Sequence, residues 1–273
     1  MDEGFAFQSV DSASFLRVGG LTCKVTGAFL PVSFQAFLWK DGFQDIGARP
    51  LLDDFDGKRS ELFLDLTSLG DTRSTRCACV PEATVEDLEG EKLYQAFGNA
   101  LPLRYRVIFH GVAVKYRGAG YVFTASSGTG KSTHAFLWQR YLGRAAHILS
   151  GDKPVISGGG ECGSSVTVWG SPWGGKERIF ENGSAPLRGV CLIERGRTCA
   201  IERVEAAEFL ETMLRQTFMP SEDPAATRTL EVVDAVLANV PLWRLTCDIS
   251  EDAVLTSFEA LTGLDYDACR VGE

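Results

Sequence analysis

The chain has a β-rich pattern in its first third and alternates helix with strand afterwards. Between about residues 5 and 80, short stretches alternate apolar and polar positions or carry β-favouring side chains, and Gly- or Asp-rich turns separate them. The predicted strands read SFLRVGGLTCKVTG, FQAFLW, ELFLDL and TRCACV. The helical spacing of Leu93 and Phe97 then predicts a helix over 84–98, although Gly90 weakens its first half.

The middle of the chain predicts a hairpin that leads into a loop and a helix. VAVKYR (112–117) and YVFTA (121–125) are predicted strands, joined by a turn at Gly118-Ala119-Gly120. After a Gly/Ser loop, KSTHAFLWQRYL predicts a helix that Gly143 ends. AHILS, KPVIS and SSVTVWGS are the strands predicted next.

The last third alternates in the same way. VEAAEFLETMLRQTF has the apolar spacing of a helix. Asp223 as N-cap and Pro224 at the first helical position open the next helix, which Pro241 ends. LWRLTC predicts a strand, and Ser250 caps a last helix that stops at Gly263. The predicted class is mixed α/β (α+β), with a largely antiparallel mixed sheet and an N-terminal β-rich region.

Composition narrows the range of functions. The 273 residues suit one large domain, or a compact domain with an added lobe. The formal net charge of −9 argues against a protein that wraps nucleic acid or lies on anionic lipid, so we expect neither partner. The 8 cysteines include no C-x-x-C pair, and the acidic N-terminus does not resemble a signal peptide. The expected location is a reducing cytoplasm.

Residues 125–132, ASSGTGKS, match the phosphate-binding P-loop pattern with Ala125 in place of the usual first glycine. Successive backbone N–H groups can surround a phosphate at a helix N-terminus. Lys131 adds charge for the β- and γ-phosphates, and the Ser132 hydroxyl can ligate Mg²⁺. The nucleotide-binding residues expected are Ser127, Gly128, Thr129, Gly130, Lys131, Ser132 and Thr133. The plainer alternative is a Gly/Ser turn followed by an accidental Gly-Lys-Ser.

Asp152 is the candidate second metal ligand. It follows Lys131 by 21 residues and stands where the predicted strand AHILS ends. A carboxylate at that point can reach a metal ion held by Ser132, as in the Walker-B arrangement. The alternative is that SGDKP is merely a turn.

His110 is the most informative of the 3 histidines, because it stands at the start of the hairpin that leads to the loop. There it could stabilise a transferring phosphoryl group, ligate a metal or position a nucleophile. The alternative is a hydrogen-bonded histidine at a strand end. His134 is interpreted as a packing or solvent-facing residue, and His147 as structural.

A second glycine-rich stretch, GSPWGGKER, ends at Arg178. Its glycines beside Lys176 and Arg178 suit a mobile loop that brings cations to developing phosphate charge, and Arg178 is our candidate. Trp173 could stack on a base or pack beneath the loop. The alternative is an exposed turn with solvated cations. Arg215 is interpreted as a surface or salt-bridging residue.

These residues resemble, in order and spacing, the catalytic domain of HPr kinase/phosphorylase over about residues 105–180. The residues that carry the resemblance are His110-Gly111-Val112, Gly118, Gly120, the loop through Thr133 and Gly151-Asp152. A fold relative of that enzyme, phosphoenolpyruvate carboxykinase, has a similar Ser-Gly-Thr-Gly-Lys loop followed by an acidic turn.

The resemblance implies a PEP carboxykinase-like P-loop core. Residues 105–273 would form the HPr-kinase-like catalytic domain, and residues 1–104 an N-terminal β-rich region that either recognises the acceptor or completes the sheet. It implies ATP and Mg²⁺ as cofactors and transfer of the γ-phosphoryl group to a hydroxyl of a peptide, protein or small molecule. Homo-oligomers occur in that family. The catalytic residues implied are His110, Asp152, Lys131 and Arg178, with Ser132 and Asp152 as metal ligands.

One departure from the family bears on the chemistry. Gly151 stands where HPr kinase carries the first of two adjacent aspartates, one of which looks like its catalytic base. Either Asp152 serves as metal ligand and base in turn, or the base comes from elsewhere, or the activity is altered or lost. We therefore expect an ATP- and Mg²⁺-dependent kinase, with a catalytically decayed nucleotide-binding regulatory module and an NTP hydrolase as rivals.

Overall fold

The computed structural model describes residues 14–26, 30–38, 61–65 and 85–271, which fold as a mixed α/β protein. The strands are β1 (Ser14–Val18), β2 (Leu21–Thr26), β3 (Glu61–Asp65), β4 (Arg106–Ile108), β5 (Val112–Tyr116), β6 (Ala119–Thr124), β7 (Ala146–Ser150), β8 (Val155–Ser157), β9 (Thr167–Trp169), β10 (Ser184–Arg195), β11 (Ala200–Arg203) and β12 (Leu242–Cys247). The helices are α1 (Val85–Ala100), α2 (Lys131–Leu142), α3 (Ala206–Gln216), α4 (Asp223–Asn239) and α5 (Glu251–Thr262).

The N-terminal strands form a small sheet of their own in the order β1-β2-β3. β1 and β2 are an antiparallel hairpin, and β3 pairs parallel to β2. The predicted strand FQAFLW is wrong, because Val32–Phe37 form a turn of 3₁₀ helix. Phe34 and Phe37, three residues apart and therefore on one side of that turn, are both buried. The predicted strand TRCACV lies outside the described residues.

Strands β4 to β12 form the main sheet, which is mixed and largely antiparallel as predicted. Its path runs β4-β8-β9-β10-β6-β5-β7, and β12 pairs with both β10 and β11. The long strand β10 pairs antiparallel with β9 and then parallel with β6 and β12. Since β6, β10 and β12 run in the same direction, their carboxyl ends lie at one edge of the sheet.

Helices cover both faces of this sheet. On one face, Trp138 of α2 and Phe258 of α5 pack with Tyr116 and Phe123 of the sheet. On the other face, α3 and α4 bury their apolar sides against a separate set of strand residues. Within the described part of the chain, no helix has the length and apolar character needed to cross a bilayer.

The N-terminal strands share a hydrophobic cluster with the main sheet. Leu16 and Phe34 pack there with Phe97 of α1 and with Ile108 and Val155 of β4 and β8. Residues on both sides of the predicted boundary at 104/105 therefore contribute to one core cluster.

Two local details differ from the prediction. The α4 helix begins at Asp223, with Glu222 in the N-cap position, so Asp223 is not the cap. The β5–β6 hairpin turns at Arg117-Gly118, where φ is 45° and 86°, and not at Gly118-Ala119-Gly120. Positive φ at two successive residues is the geometry of a tight type I′ turn, whose twist matches that of the paired strands.

The hydroxyl of Ser257 joins α5 to α2 inside the core. The Trp138 indole N–H donates to Ser257 Oγ at 3.0 Å, and His134 Nε2 lies 3.0 Å from the same oxygen. The hydroxyl itself donates to the Ala253 carbonyl at 2.9 Å. Burial lowers the pKa of His134 to about 4, so its ring is neutral near pH 7.

Replacing Ser257 by alanine should therefore destabilise the fold strongly. Two buried polar groups would lose their partner, and we expect the free energy of unfolding in urea to fall by about 2–4 kcal/mol. Thr229→Val is the matched control, because the buried Thr229 hydroxyl donates only to Ala225 of its own helix and should cost below about 1 kcal/mol. Equal effects of the two substitutions would contradict the role given to Ser257.

Candidate active site

The candidate site lies at the carboxyl edge of the three parallel strands. The loop 125–130 follows β6, Arg195 ends β10, and Asp248 follows β12. In open α/β sheets, ligands bind outside the carboxyl ends of parallel strands. The strand order therefore places the predicted phosphate loop where ligands bind in other α/β proteins.

The loop between β6 and α2 has the backbone geometry that its two glycines allow. Gly128 has a φ of 76° and Gly130 a φ of 122°, a region that side-chain-bearing residues avoid. A Cβ at either position would meet nothing within 4 Å, so the backbone angle, and not crowding, demands glycine. The amides of Ser127, Gly128 and Gly130 donate to no acceptor in the described part of the chain, as expected of a loop built to bind an anion.

Arg195 braces this loop from the end of β10. Its Nε donates to the Thr129 carbonyl at 3.2 Å, and its Nη2 donates to the Gly128 carbonyl. Both carbonyls are thereby held on the side of Arg195. The bond to the Thr129 carbonyl thus fixes the peptide unit that carries the unpaired Gly130 amide.

Lys131, the first residue of α2, lies almost buried against the loop. Only 8% of the residue is exposed, and its Nζ donates to the Ala125 carbonyl at 3.1 Å. Burial lowers the pKa of this ammonium, while the negative charges of Asp152 and Glu177 oppose that shift. The three N–H donors of the ammonium would find more acceptors on a phosphate than on the single Ala125 carbonyl. Ser132 is half-buried and Thr133 is exposed at the same helix end.

A pocket of about 580 Å³ adjoins the loop. It is lined by Gly128, Thr129, Gly130 and Thr133 and by the apolar residues Leu137, Ile193 and Ile249. Asp248 and Arg195 supply its charges. Ile249 is 76% exposed, so an apolar surface is available beside the loop.

Asp152 and His110 form a pair, which the sequence did not predict. His110 Nε2 lies 3.4 Å from Asp152 Oδ1, and the Gly111 amide donates to the Asp152 carbonyl at 2.8 Å. On the other side of the ring, His110 Nδ1 lies 2.8 Å from Gln216 Oε1. An amide oxygen only accepts, so Nδ1 carries the proton and Nε2 is the nitrogen that can gain or lose one.

The Asp152 carboxylate is ionised despite its partial burial. Burial raises its pKa, but hydrogen bonds from His110 and Lys153 and their positive charges outweigh that effect and hold the pKa at about 2. Lys153 Nζ lies 2.6 Å from Asp152 Oδ2. A group with so low a pKa is a weak base, which favours charge stabilisation or metal binding over proton abstraction by Asp152 alone.

Ser132 and Asp152 have the donor types that suit Mg²⁺. They offer a hydroxyl and an ionised carboxylate, the hard oxygen ligands that Mg²⁺ takes. In the described residues, no three or more His, Cys, Asp or Glu side chains cluster as metal ligands. Mg²⁺ does not need such a cluster, since it is usually held by one or two protein ligands with water and substrate phosphates.

The stretch 170–180 is fastened over Asp152. The Lys153 amide donates to the Trp173 carbonyl at 3.2 Å, and the Gly151 amide donates to the Ile179 carbonyl at 3.0 Å. The Trp173 ring makes edge contacts with Phe34, Tyr94 and Phe97, with centroids 5.6–5.7 Å apart, so Trp173 packs beneath the loop.

The predicted cations of this stretch differ in position. Lys176 and Arg178 are both exposed, and Arg178 lines a second pocket together with Asp152 and Lys153. Arg178 has a φ of 52°, which is unusual for a residue with a side chain. The structure therefore brings Arg178 to the Asp152 side of the site, and it does not place Arg178 on the phosphate loop.

The neighbours of Gly151 leave no room for a side chain at this position. A Cβ there would lie 2.6 Å from the Gly174 carbonyl oxygen and 3.2 Å from that of Ile179. The loop that covers Asp152 therefore occupies the space in which a side chain at position 151 would begin.

The remaining candidates have structural surroundings. His134 is buried between α2 and α5, which confirms the packing alternative. His147 is half-exposed, with its Nε2 3.3 Å from Glu181 Oε2. Arg215 is exposed and pairs with Glu211 one turn earlier at 3.2 Å.

Three residues of the site were missed from the sequence: Arg195, Gln216 and Lys153. Lys153 directly follows Asp152, and that adjacency was a usable signal. Arg195 ends a strand, but nothing in the sequence paired it with the loop. Gln216 reaches His110 because an isolated bridge between Phe109 and Thr217 joins the end of α3 to the hairpin.

No protein-family model matches this chain, and no curated protein matches it.

Two glycine-to-alanine substitutions with opposite expected effects on stability test the packing at Gly151. Gly151→Ala forces the Gly174 carbonyl to move and should destabilise the protein by about 1–3 kcal/mol in urea unfolding. Gly90→Ala, in the interior of α1, has no contact closer than 4.0 Å and should stabilise by about 0.5–1 kcal/mol. A neutral Gly151→Ala would show that the loop yields easily and that space does not fix this position.

Proposed function

We propose that this protein is an ATP- and Mg²⁺-dependent phosphotransferase that moves the γ-phosphoryl group of ATP to a hydroxyl. The observation that carries the proposal is the loop 125–130 at the amino end of α2, with unpaired amides and a nearly buried Lys131. The Asp152–His110 pair supports it, because the Asp152 charge acts on Lys131 and therefore belongs to the same site.

The proposed fold is a PEP carboxykinase-like P-loop core. Its support is the mixed sheet in which a hairpin, β5–β6, leads directly into the phosphate loop and α2. The strand β5 pairs antiparallel with both β6 and β7, which distinguishes this sheet from an all-parallel nucleotide-binding sheet.

The chain supplies binding and charge for the transfer. The amides of Ser127, Gly128 and Gly130 hold phosphate oxygens, and Lys131 contributes a positive charge. Its attraction to phosphate is stronger in a buried site than in water. Ser132 and Asp152 would hold Mg²⁺, which neutralises charge between the β- and γ-phosphates. The pocket of Leu137, Ile193 and Ile249 offers apolar surface for the base of the nucleotide, with Asp248 as an acceptor for ribose hydroxyls.

Asp152 and His110 would handle the proton of the acceptor hydroxyl together. Gln216 fixes the ring of His110 so that Nε2 faces Asp152. A proton that arrives on Nε2 is stabilised by the ionised carboxylate 3.4 Å away. The Asp152–His110 pair would then supply the base, so that an aspartate at position 151 would not be needed.

Lys131→Met tests the phosphate site. Mg²⁺-ATP at about a hundred times its dissociation constant should stabilise the wild type by ~2.7 kcal/mol, a rise of several degrees in melting temperature. Lys131→Met should fold, because the substitution removes a buried charge, and should lose that rise and all turnover. Lys115→Met, on the neighbouring strand β5, should keep both. An unchanged rise in the melting temperature of Lys131→Met would contradict the assignment of the phosphate site.

Asp152→Asn tests the metal and proton roles without requiring a known acceptor. Calorimetry of ATP with and without Mg²⁺ should show a gain from the metal in the wild type and little gain in the variant. Slow phosphate release to water should drop by about a hundredfold or more. Glu208→Gln, which changes an exposed carboxylate in the first turn of α3, is the control and should behave as the wild type.

The same data separate the proposal from its rival. A wild type that binds Mg²⁺-ATP and releases no phosphate, to water or to any hydroxyl compound, would favour the nucleotide-binding regulatory module. Full phosphate release by Asp152→Asn would remove Asp152 from the mechanism.

A further inference from the structure

A second pocket opens at Asp152 and shares no lining residue with the pocket beside the phosphate loop. Pro31 and Ser33 of the N-terminal region line it together with Trp173 and Phe180. Its volume of about 280 Å³ lies below the range of about 300–1,000 Å³ found for drug-sized ligands. The pocket therefore suits a small molecule or a single side chain.

The charges that line this pocket are unequal. Lys153 and Arg178 contribute two positive charges and Asp152 one negative charge. Lys153 Nζ lies 2.6 Å from Asp152 Oδ2 and balances that charge. Arg178 has no ion-pair partner among the described residues. One cation of the pocket lining is therefore left over.

Backbone donors add to that cation. Gly174 and Gly175 line the pocket, and the amides of both donate to no acceptor in the described ranges. Gly174 is buried, so its amide is costly to leave unpaired. The Gly174 and Gly175 carbonyls are turned toward Ile179 and Arg178 N–H groups, at 3.3 and 3.1 Å. Free amides beside an unpaired guanidinium are the donor set of an anion site.

We propose that this pocket binds the phosphoryl acceptor, and that the acceptor is a small hydroxy compound that carries a carboxylate or phosphate group. The inference rests on the proposed function and names its substrate class. Arg178 and the Gly174 and Gly175 amides hold the anionic group, and the hydroxyl points toward Asp152.

The transfer step then balances as a simple displacement. The hydroxyl oxygen forms a bond to the γ-phosphorus while the bond from that phosphorus to the β–γ bridging oxygen breaks. The hydroxyl proton passes to the Asp152–His110 pair, and ADP leaves with the electrons of the broken bond. No oxidation or further reactant is involved.

Matched pairs of probes test the charge requirement. D-glycerate is compared with glycerol, and lactate with propane-1,2-diol, by calorimetry on protein saturated with Mg²⁺ and a non-hydrolysable ATP analogue. N-acetylserinamide, a neutral peptide serine, is the fifth probe. We expect each anion to bind wild type about tenfold or more tightly than its neutral partner, as charged hydrogen bonds require.

Arg178→Asn is the informative variant, since asparagine tolerates the positive φ at this position. We expect it to reduce the anion preference to about threefold or less while leaving affinity for the ATP analogue unchanged. Arg178→Gly, which accepts the same φ, is a second variant in case the first folds poorly. Arg144→Asn, an exposed arginine after α2, should keep the full preference.

The outcomes separate the two claims. If the ATP analogue does not bind wild type, the proposed function fails and this inference fails with it. If the analogue binds but the anions bind no better than their neutral partners, only the inference fails. Tighter binding of N-acetylserinamide than of either anion would overturn it in favour of a peptide serine. An unchanged preference in Arg178→Asn would remove Arg178 from the site.

Discussion

The arrangement of the site depends on Asp152, where three segments distant in sequence are tied together. Its carbonyl accepts from Gly111, which fixes the hairpin that leads to the phosphate loop. Its carboxylate binds His110 and Lys153, and Lys153 in turn donates its amide to Trp173 of the covering loop. With its pKa held at about 2, the carboxylate stays ionised across the physiological pH range.

The two pockets have different structural origins, and this difference suits two different partners. The pocket beside the phosphate loop is built from ends of the central parallel strands and from α2, the most regular part of the chain. The pocket at Asp152 is walled by the N-terminal region and by the covering loop. A nucleotide presents the same phosphates in every case, whereas acceptors vary. Under the proposed function the acceptor would lie against irregular segments, where substitutions disturb the strand edge least.

Local patterns predicted much of the fold. The helix over 131–142 and the strands AHILS and LWRLTC have the bounds that apolar spacing and turn residues indicate. FQAFLW was wrong because Phe34 and Phe37, three residues apart, share one side of a 3₁₀ turn but would lie on opposite faces of a strand. The site was only partly predictable for a different reason. Arg195 contacts a residue 66 positions away and Gln216 one 106 positions away, and no local spacing encodes such pairs.

The close contact at Gly151 also limits which residues this position can accept. A carboxylate there would stand beside Asp152 as a second acidic side chain. The folded chain blocks it, because the Gly174 carbonyl and Ile179 already fill the space. The covering loop would have to be remodelled before position 151 could carry a side chain, so packing imposes the order of the two changes.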